Sequence, residues 1–403
     1  MKIAILGGGA AGFFAAITAA EANPAAQVTL LERSGSVLQK VKVSGGGRCN
    51  VTHACFDARE LVRHYPRGSR ELLGPFMRFG PQETIDWFAA RGVRLKTEAD
   101  GRMFPITDDS QTIVECLWNA ARSAGVQVLT NMRVDDLKPA GDHWLVQAGR
   151  HGTPFRADRV LVATGSSEAV WAILARLGHR IMPPVPSLFT FNVRDARLRD
   201  LAGVSAPAVR VQIRGLRLSA QGPLLITHWG LSGPAILRLS AWGARELHGM
   251  NYHFPLTVNW LGDKNAADAQ AVLERAKEQN ARKQIGAHAP FSLPQRLWER
   301  LTLAAGLPAG LRWADAGKAA SQRLAGELTG GVFQVTGKST FKEEFVTAGG
   351  VDLRELHFQT FESKLFPGLY FAGEALDIDA VTGGFNFQAA WTGGWIAGQA
   401  MAG

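Results

Sequence analysis

The sequence has little cysteine and no long uninterrupted apolar stretch. Three cysteines among 403 residues is an odd number, which argues against a secreted disulfide framework and for a reducing compartment. The apolar segment AAWTGGWIAGQAMAG is too short and too often broken by glycine to cross a bilayer. Glycines also interrupt the first apolar run, so it lacks the pattern of a secretion signal. We therefore expect a cytoplasmic protein with no membrane segment.

Acidic residues are fewer than basic ones, 35 against 44, which gives a net charge of +9 and a pI near 9.7. This balance fits an anionic partner, such as nucleic acid or a phosphorylated cofactor, or only a soluble basic surface. The hydrophobic fraction of 46% is ordinary for a globular protein. The length allows two or three domains, and we find no internal repeat.

The first 33 residues carry the most specific pattern in the chain. An apolar strand over residues 3–6 meets Gly7-x-Gly9-x-x-Gly12, and an alanine-rich helix and a second strand ending at Glu32 follow. Gly7 permits a tight turn, Gly9 lets backbone approach a pyrophosphate, and Gly12 lets the helix pack on the strand. Glu32 is placed to accept hydrogen bonds from a ribose diol. The pattern predicts a dinucleotide site; the alternative is a glycine turn in an ordinary βαβ unit.

Later stretches narrow the dinucleotide to FAD. The apolar strand that ends in Ala163-Thr164-Gly165 is typical of flavoproteins, where this turn closes the FAD domain. The apolar strand that ends in Gly373-Glu374 is expected to bring the acid to a ribityl hydroxyl. A helix beginning near Gly383 is expected to direct its N-terminus at the pyrophosphate or flavin. Both ends of the chain therefore build the cofactor domain.

A second dinucleotide fingerprint is missing. An NAD(P)H donor would therefore bind transiently, without a dedicated motif or domain, or not bind at all. Cys49 and Cys55 suggest a disulfide reductase, but five residues separate them instead of the usual four. Such an enzyme would also need a second nucleotide motif, so this alternative is disfavoured.

The Pro183–Pro186 run marks a domain boundary, because proline does not sit in central strands. We expect a first part of the cofactor domain over residues 1–186 and its C-terminal part over 341–403. Between them lies an insert over 187–340, β-like at about 187–261 and 331–340 and helical at about 262–330. Within the first part, Ser110 is the expected N-cap of a helix that ends at Gly125.

Five stretches resemble one family: SGGGRCNVT (44–52), GRMFPITDDS (101–110), THWGLSGPAIL (227–237), FVTAGGV (345–351) and GLYFAGEALDIDAVTGGFNFQAAWTGG (368–394). They resemble the BaiN/YhiN-like flavoproteins, also called aminoacetone-oxidase-family FAD-binding enzymes. The resemblance implies an α/β fold: a glutathione-reductase-type FAD-binding Rossmann domain interrupted by an insert with a β-barrel-like part and a small helical part. Family members often carry Thr where Ser44 stands.

The motifs and the resemblance together give one set of predicted FAD-binding positions. They are Gly7, Gly9, Ala10, Ala11, Gly12, Glu32, Arg33, Lys40, Ser44, Gly45, Gly46, Gly47, Cys49, Asn50, Val134, Ala163, Thr164, Gly165, Gly373, Glu374, Gly383, Gly384, Phe385, Asn386, Phe387 and Gln388. Val134 is expected beside an adenine. We predict no metal site.

Three residues are candidates for the chemistry. His228 is a possible proton donor or base, against a structural histidine that caps a turn. Its neighbour Trp229 suits a flat substrate, although core packing is the more common role. Arg48 and Arg102 are candidates for binding an anionic substrate or a reduced flavin, against structural ion pairs.

Three functions remain open from the sequence. The first is an FAD-dependent oxidoreductase acting on a small amine or unsaturated molecule held between the flavin and the insert. The second is a flavin-dependent reductase of uridine in ribosomal RNA, and the third is a non-catalytic flavin-binding protein. Two basic segments suit phosphate contacts with RNA, but a solvated basic surface is the more common reason for such segments, and no RNA-binding motif accompanies them. Their arginines are Arg59, Arg63, Arg67, Arg70, Arg78, Arg194, Arg197, Arg199, Arg210, Arg214 and Arg217.

Overall fold

The computed structural model describes residues 1–149, 154–339 and 346–403. The chain divides into two compact units, Met1–Val185 with Lys342–Gly403, and Pro186–Phe341. Phe345, the first residue of the family-matching stretch FVTAGGV, lies outside the described residues. So does the predicted boundary between residues 340 and 341.

Twenty-one strands lie in the described residues: β1 (Lys2–Leu6), β2 (Gln27–Leu31), β3 (Thr52–His53), β4 (Leu95–Thr97), β5 (Arg102–Pro105), β6 (Gln127–Leu129), β7 (Val134–Ala140), β8 (His143–Ala148), β9 (Phe155–Ala157), β10 (Arg159–Val162), β11 (Ile181–Ser187), β12 (Thr190–Val193), β13 (Ser205–Ile213), β14 (Ser219–Ile226), β15 (Gly230–Ser232), β16 (His253–Asn259), β17 (Gly331–Ser339), β18 (Val346–Val351), β19 (Leu356–His357), β20 (Glu362–Ser363) and β21 (Leu369–Phe371).

Thirteen α-helices lie in the same described ranges: α1 (Ala10–Ala22), α2 (Gln39–Gly47), α3 (Ala58–Leu61), α4 (Leu73–Arg78), α5 (Pro81–Ala89), α6 (Ser110–Ser123), α7 (Glu168–Leu177), α8 (Pro234–Trp242), α9 (Ala244–Gly249), α10 (Ala266–Asn280), α11 (Gln295–Ala304), α12 (Lys318–Gly330) and α13 (Phe385–Ala402). None of these helices is long and apolar enough to cross a membrane.

The first unit is built on a seven-stranded sheet in the order β19-β20-β21-β10-β1-β2-β6. Strands β21, β10, β1, β2 and β6 run parallel, and their residues are largely buried, as expected for a sheet covered by helices. The carboxyl ends of β1, β2 and β10 therefore meet at one edge, where the first glycine motif, Glu32 and Ala163 follow them. The predicted Rossmann-type domain is confirmed.

Helices α1 and α13 pack at backbone distance in this unit. A Cβ on Gly394 would lie 2.7 Å from the Ala11 carbonyl oxygen, and one on Gly398 would lie 2.7 Å from the Ala15 oxygen. Only glycine allows this approach, because any side chain would overlap a backbone atom. The last helix thereby closes over the first βα unit and joins the two ends of the chain.

The second unit contains a closed six-stranded barrel in the order β12-β15-β14-β13-β16-β17. All neighbouring strands are antiparallel. Fully buried side chains such as Val211, Leu256 and Phe333 fill it, and the same hydrophobic cluster extends to Leu273, Trp298 and Leu328 of α10, α11 and α12. The predicted barrel-like part with a helical part is confirmed.

Three local features differ from the sequence prediction. Helices α8 and α9 lie inside the stretch predicted as β; Pro234 at the first position of α8 is an ordinary helix start. The Pro183–Pro186 run lies within β11, which pairs with β18 in a two-stranded sheet. Both strands of such a sheet are edge strands, and proline is tolerated in an edge strand because one side of it needs no hydrogen-bond donors. Asp109, not Ser110, caps α6, accepting a hydrogen bond from the Gln111 amide at 2.8 Å.

Gly12→Ala is expected to destabilise the first unit strongly. Its Cβ would lie 1.9 Å from the Gly7 carbonyl oxygen, and backbone cannot move aside cheaply. We expect the free energy of unfolding to fall by about 3 kcal/mol or more in urea titrations. Gly9→Ala is the matched control, because no atom lies within 4 Å of its Cβ position. A loss in Gly9→Ala equal to that in Gly12→Ala would contradict this account.

Candidate functional site

A cavity of about 190 Å³ opens at the carboxyl edge of the parallel sheet. Five predicted positions line it: Gly7, Glu32, Arg33, Val134 and Thr164. The volume is below the roughly 300–1,000 Å³ of complete ligand pockets, so the cavity accounts for one part of a dinucleotide. Its walls combine the first glycine turn with the acid after β2, the arrangement expected for an adenosine half.

Glu32 is held in a fixed orientation within this cavity wall. Its Oε2 accepts a hydrogen bond from the Gly8 amide at 2.8 Å, and its Oε1 accepts from the Ser34 amide at 2.9 Å and hydroxyl at 2.7 Å. These bonds occupy three of the roughly four acceptor sites of an ionised carboxylate, and one site remains on Oε2. The carboxylate can therefore accept one further hydroxyl donor through Oε2.

The glycines of the first motif divide by what a side chain would meet. Gly7 has φ of 111°, and its Cβ would lie 2.4 Å from the Ala163 carbonyl oxygen, so it is fixed by the protein itself. Gly9 precedes α1 and faces open space. An open glycine at a helix N-terminus leaves room and free N–H groups for a phosphate. The residues present therefore fit a dinucleotide pyrophosphate.

A second group of predicted residues surrounds Glu374. Lys40 forms an ion pair with the Glu374 carboxylate, whose Oε2 lies 3.8 Å from where a Cβ of Gly165 would stand. Gly165 directly follows Thr164 of the cavity wall, and the Cβ position of Gly373 lies 3.1 Å from the Ala11 Cβ. The ion pair of Lys40 and Glu374 thus lies close to Gly165, one residue beyond the wall of the cavity.

The third group is the start of α13 together with residues 44–50, called the glycine loop because the backbone of Ser44, Gly45 and Gly46 at the end of α2 is not helical. Gly45, Gly46 and Gly47 all have φ between 59° and 84°, a region that disfavours other residues. The Asn50 amide links this loop to the rest: its Oδ1 accepts from the Gly384 amide at 2.9 Å and its Nδ2 donates to the Thr52 carbonyl at 3.0 Å. The loop is therefore fastened to the N-terminus of α13.

Arg48 and Arg102 share a carboxylate partner. Arg48 donates to Glu98 Oε1 at 2.7 Å and Arg102 donates to Glu98 Oε2 at 2.9 Å. The guanidinium of Arg48 also lies 4.0 Å above the ring of Phe104. The hydrogen bond to Glu98 raises the pKa of Arg48 above its ordinary value. Both arginines thus have the ion pairs of the structural alternative, and they fasten the glycine loop to β5.

Several predicted side chains point into the domain interior. Cys49 is fully buried, and burial raises the pKa of its thiol to about 12. Gln388 is also fully buried, accepting from Thr52 at 2.6 Å and donating to Thr392 at 3.1 Å. The Asn386 amide is bonded to both backbone groups of Ala380. The Cys49 and Gln388 side chains therefore support the loop and helix from within.

His228 lies at one end of the barrel, in the turn between β14 and β15. The Thr227 hydroxyl accepts from the Gly230 amide at 3.1 Å, and the Thr227 amide donates to the Gly230 carbonyl at 2.8 Å. This small closed turn presents two exposed side chains, His228 and Trp229, with ring centroids 6.5 Å apart. The Trp229 carbonyl accepts from the Val193 amide at 2.9 Å, so Arg194 is at the same barrel end.

The closed barrel places arginines of the second predicted basic segment at its two opposite ends. Arg194 and Arg199 follow β12 at one end, whereas Arg214 and Arg217 occupy the β13–β14 turn at the other. In the described part of the chain no carboxylate forms an ion pair with these four exposed arginines. Two other predicted phosphate contacts are wrong. The side chains of Arg67 and Arg197 are only 11% and 14% exposed, and each is paired with buried or half-buried acids.

The sequence analysis missed part of the cavity wall. Met132, Arg133, Ser167, Ala169 and Val170 also line it. Ser167 precedes α7 as its N-cap, so its position after Ala163-Thr164-Gly165 was an available signal. Met132 gives no signal of its own, because its position depends on the backbone hydrogen bond from its amide to the Glu32 carbonyl, 2.7 Å long.

The fold and the site define a dinucleotide-binding Rossmann protein with an inserted barrel. The chain matches the model of the HI0933-like protein Rossmann domain family over residues 1–400 and belongs to that family. It is 30% identical to the 3-dehydro-bile acid delta(4,6)-reductase of Clostridium scindens, over 100% of this chain and 99% of that protein. It is 29% identical to the ribosomal RNA dihydrouridine synthase of Escherichia coli, over 98% and 96%.

A solved structure supports the fold. The 3-ketosteroid-delta4-(5alpha)-dehydrogenase of Rhodococcus jostii RHA1 is similar with a TM-score of 0.54 and 16% sequence identity, covering 100% of this chain and 96% of that one. The predicted family is confirmed, and the chain is an FAD-dependent oxidoreductase with FAD as its cofactor. The individual FAD contacts and the catalytic residues stay predictions.

Glu32→Ala is expected to weaken FAD binding by about tenfold to a hundredfold, because a hydrogen bond to a charged group contributes about 1.5–3 kcal/mol. Titration of the apoprotein with FAD, followed by quenching of flavin fluorescence, measures the change. Glu21→Ala is the matched control, since Glu21 pairs with Arg91 on the surface of the same unit. Equal affinity in both variants would contradict the role of Glu32.

Cys49 is expected to resist alkylation in the native protein. With its pKa raised to about 12, the thiol stays protonated at neutral pH and becomes a thiolate only as the pH approaches that value. Iodoacetamide labelling across pH followed by peptide mass spectrometry tests this, with the urea-unfolded protein as the reference. Rapid native labelling of Cys49 at pH 8 would revive the disulfide-reductase alternative.

Proposed function

We propose that this protein reduces a conjugated carbon–carbon double bond in a small, flat molecule. The observation that carries the proposal is the 30% identity, over the full length of both chains, to a protein named as a 3-dehydro-bile acid delta(4,6)-reductase. Of the two small-molecule classes expected from the sequence, amines and unsaturated compounds, this relative supports the second. A transient NAD(P)H donor and a cytoplasmic location are parts of the same proposal.

Reduction of such a bond needs a hydride at one carbon and a proton at its neighbour. Bound FAD supplies the hydride when reduced. His228 is our candidate for the proton donor, because its exposed imidazole stands on a turn closed by two hydrogen bonds, and histidine exchanges protons near neutral pH. Trp229 beside it offers an aromatic face for a flat ring system.

The arginines receive supporting roles in this proposal. Arg48 and Arg102 share Glu98, and guanidinium groups do not release protons in proteins. They would hold the glycine loop in place against FAD rather than donate a proton. Lys40 and Glu374 are the polar side chains that we place along the middle of the cofactor.

A second candidate function is the reduction of a uridine in ribosomal RNA. Relatives in Escherichia coli and Haemophilus influenzae carry the name ribosomal RNA dihydrouridine synthase, at 29% and 27% identity. The four exposed arginines at the two barrel ends are suited to phosphate contacts, which make binding fall steeply with salt. Trp229 would then stack on a base instead of a small ring system.

His228→Asn is expected to slow reduction of a 3-oxo-delta(4,6) bile acid by about a hundredfold or more, because positioned proton donors contribute about 10²–10⁴ in rate. Stopped-flow measurement of reoxidation of the chemically reduced holoenzyme gives the rate, and the variant should retain normal FAD content. His248→Asn is the control, because His248 is an exposed histidine of the same unit whose ring bonds Tyr252. Unchanged reoxidation in His228→Asn would remove His228 from the mechanism.

The two candidate substrates are separated by one comparison. If the small-molecule proposal is correct, the reduced holoenzyme is reoxidised by the bile acid and ribosomal RNA has the same modification profile with and without the gene. A missing dihydrouridine in the deletion strain would instead establish the RNA function. In that case the double variant Arg214→Ser/Arg217→Ser should bind RNA with a weaker salt dependence. The slope of the logarithm of the binding constant against the logarithm of the salt concentration should become shallower by about 2.

A further inference from the structure

The segment over residues 64–68, here called the strap, lies against the loop over residues 376–384, here called the entry loop because it leads into α13. The Val381 amide donates to the His64 carbonyl at 3.0 Å. A Cβ on Gly68 would stand 2.8 Å from the Ile378 side chain. A backbone hydrogen bond at one end of the strap and the close approach of the Ile378 side chain at the other thus join the strap to the entry loop.

The side chains of the strap reach further, to the first residue of α13. The buried Tyr65 hydroxyl donates to the Phe385 carbonyl at 2.5 Å. The His64 ring stacks on the Phe385 ring, with centroids 4.1 Å apart and planes within 9°. The strap therefore contacts both the entry loop and the first residue of α13, which follows that loop.

The central contact is the ion pair of Arg67 with Asp379. The guanidinium uses both Nε and Nη2 on the two carboxylate oxygens, and a backbone bridge joins the same two residues. The side chains are 11% and 0% exposed. Removing one member of such a pair leaves a buried charge without compensation, whereas replacing both by neutral groups does not.

The entry loop connects two groups that we place against FAD. Glu374 lies just before it and Gly384 ends it, where the Gly384 amide meets Asn50 of the glycine loop. The Asn386 side chain closes the loop by bonding both backbone groups of Ala380. Asp379 lies between Glu374 and Gly384 along the chain. Its ion pair with Arg67 therefore affects both the position of the entry loop and the net charge within that loop.

We propose that Arg67 and Asp379 are positioning residues. Their ion pair fixes the entry loop for FAD, and the Arg67 cation cancels the negative charge of Asp379, which would otherwise oppose the negative charge of the reduced flavin. This inference rests on the proposed FAD site. A buried Asp379 carboxylate without its cation would disfavour the reduced, more negative flavin, and a displaced loop would weaken FAD binding altogether. Two properties of the holoenzyme, its affinity for FAD and its midpoint potential, therefore report on the pair.

The test compares Arg67→Gln with the double variant Arg67→Gln/Asp379→Asn. In Arg67→Gln we expect FAD to bind at least tenfold more weakly. We also expect a midpoint potential lower by about 30 mV, which is a tenfold weaker binding of reduced relative to oxidised FAD for a two-electron couple. The double variant, neutral and still able to hydrogen-bond, should recover both values to within about threefold of wild type, a change of about 15 mV. Arg63→Gln is the control, because Arg63 forms an exposed pair with Glu60 in the same part of the chain.

A folded Arg67→Gln variant with unchanged FAD affinity and potential would overturn the inference, even if its melting temperature fell. If Arg67→Gln does not fold, Arg67→Lys replaces it, since lysine keeps the cation but cannot make the forked contact. Weakened FAD binding in Arg67→Lys supports the inference, and wild-type affinity overturns it. A wild-type protein that binds no FAD would instead remove the proposed function itself.

Discussion

The close approach of α1 and α13 is the constraint on which the cofactor domain depends. Gly394 and Gly398 let the last helix touch the backbone of the first, and Gly12 lets that first helix touch the turn before it. These contacts leave no space for side chains, so they fix the N-termini of both helices relative to the parallel sheet. A helix N-terminus carries free N–H groups and partial positive charge, which makes its position the main determinant of where a pyrophosphate can bind.

The sequence predicted the parts of the fold whose geometry is local. The spacing of Gly7, Gly12 and Glu32 predicted the first βαβ unit, because each residue type answers a backbone requirement within about 30 residues. The strand pattern predicted a β-like region, and the family resemblance implied its barrel-like form. Helix α8 was not predicted, although Pro234 at its first position is a helix-start signal, because α8 is short and lies within a stretch of alternating apolar residues. The pairing order of the barrel strands depends on distant contacts, which the sequence pattern does not contain.

Side-chain partners were harder to predict than elements. Arg67 stands in a basic segment, and only the folded chain shows that its partner is Asp379, more than 300 residues away. Cys49 and Gln388 fall inside motifs typical of cofactor contacts, yet both side chains are fully buried. Motif membership therefore predicts which loops form the site, but it does not distinguish residues free to face a cofactor from buried residues that support the loops. Such support is what keeps a binding site rigid.

The proposed FAD site consists of three stretches within one unit. The cavity around Glu32 suits the adenosine part, the Lys40 and Glu374 pair follows, and the glycine loop with the start of α13 comes last. The hydrogen bonds at Asn50 and at the strap hold two of these stretches in place, and preformed contacts of this kind lower the entropic cost of binding a ligand. Preorganisation of this kind agrees with a flavoenzyme in which the protein mainly binds, orients and shields the cofactor.

Reconstitution of the apoprotein with FAD tests the central claim most directly. Titration followed by the visible absorption of the flavin is predicted to saturate at one FAD per chain, with a spectrum shifted from that of free FAD and bleached on anaerobic reduction. A folded protein that takes up no FAD under these conditions would contradict the account.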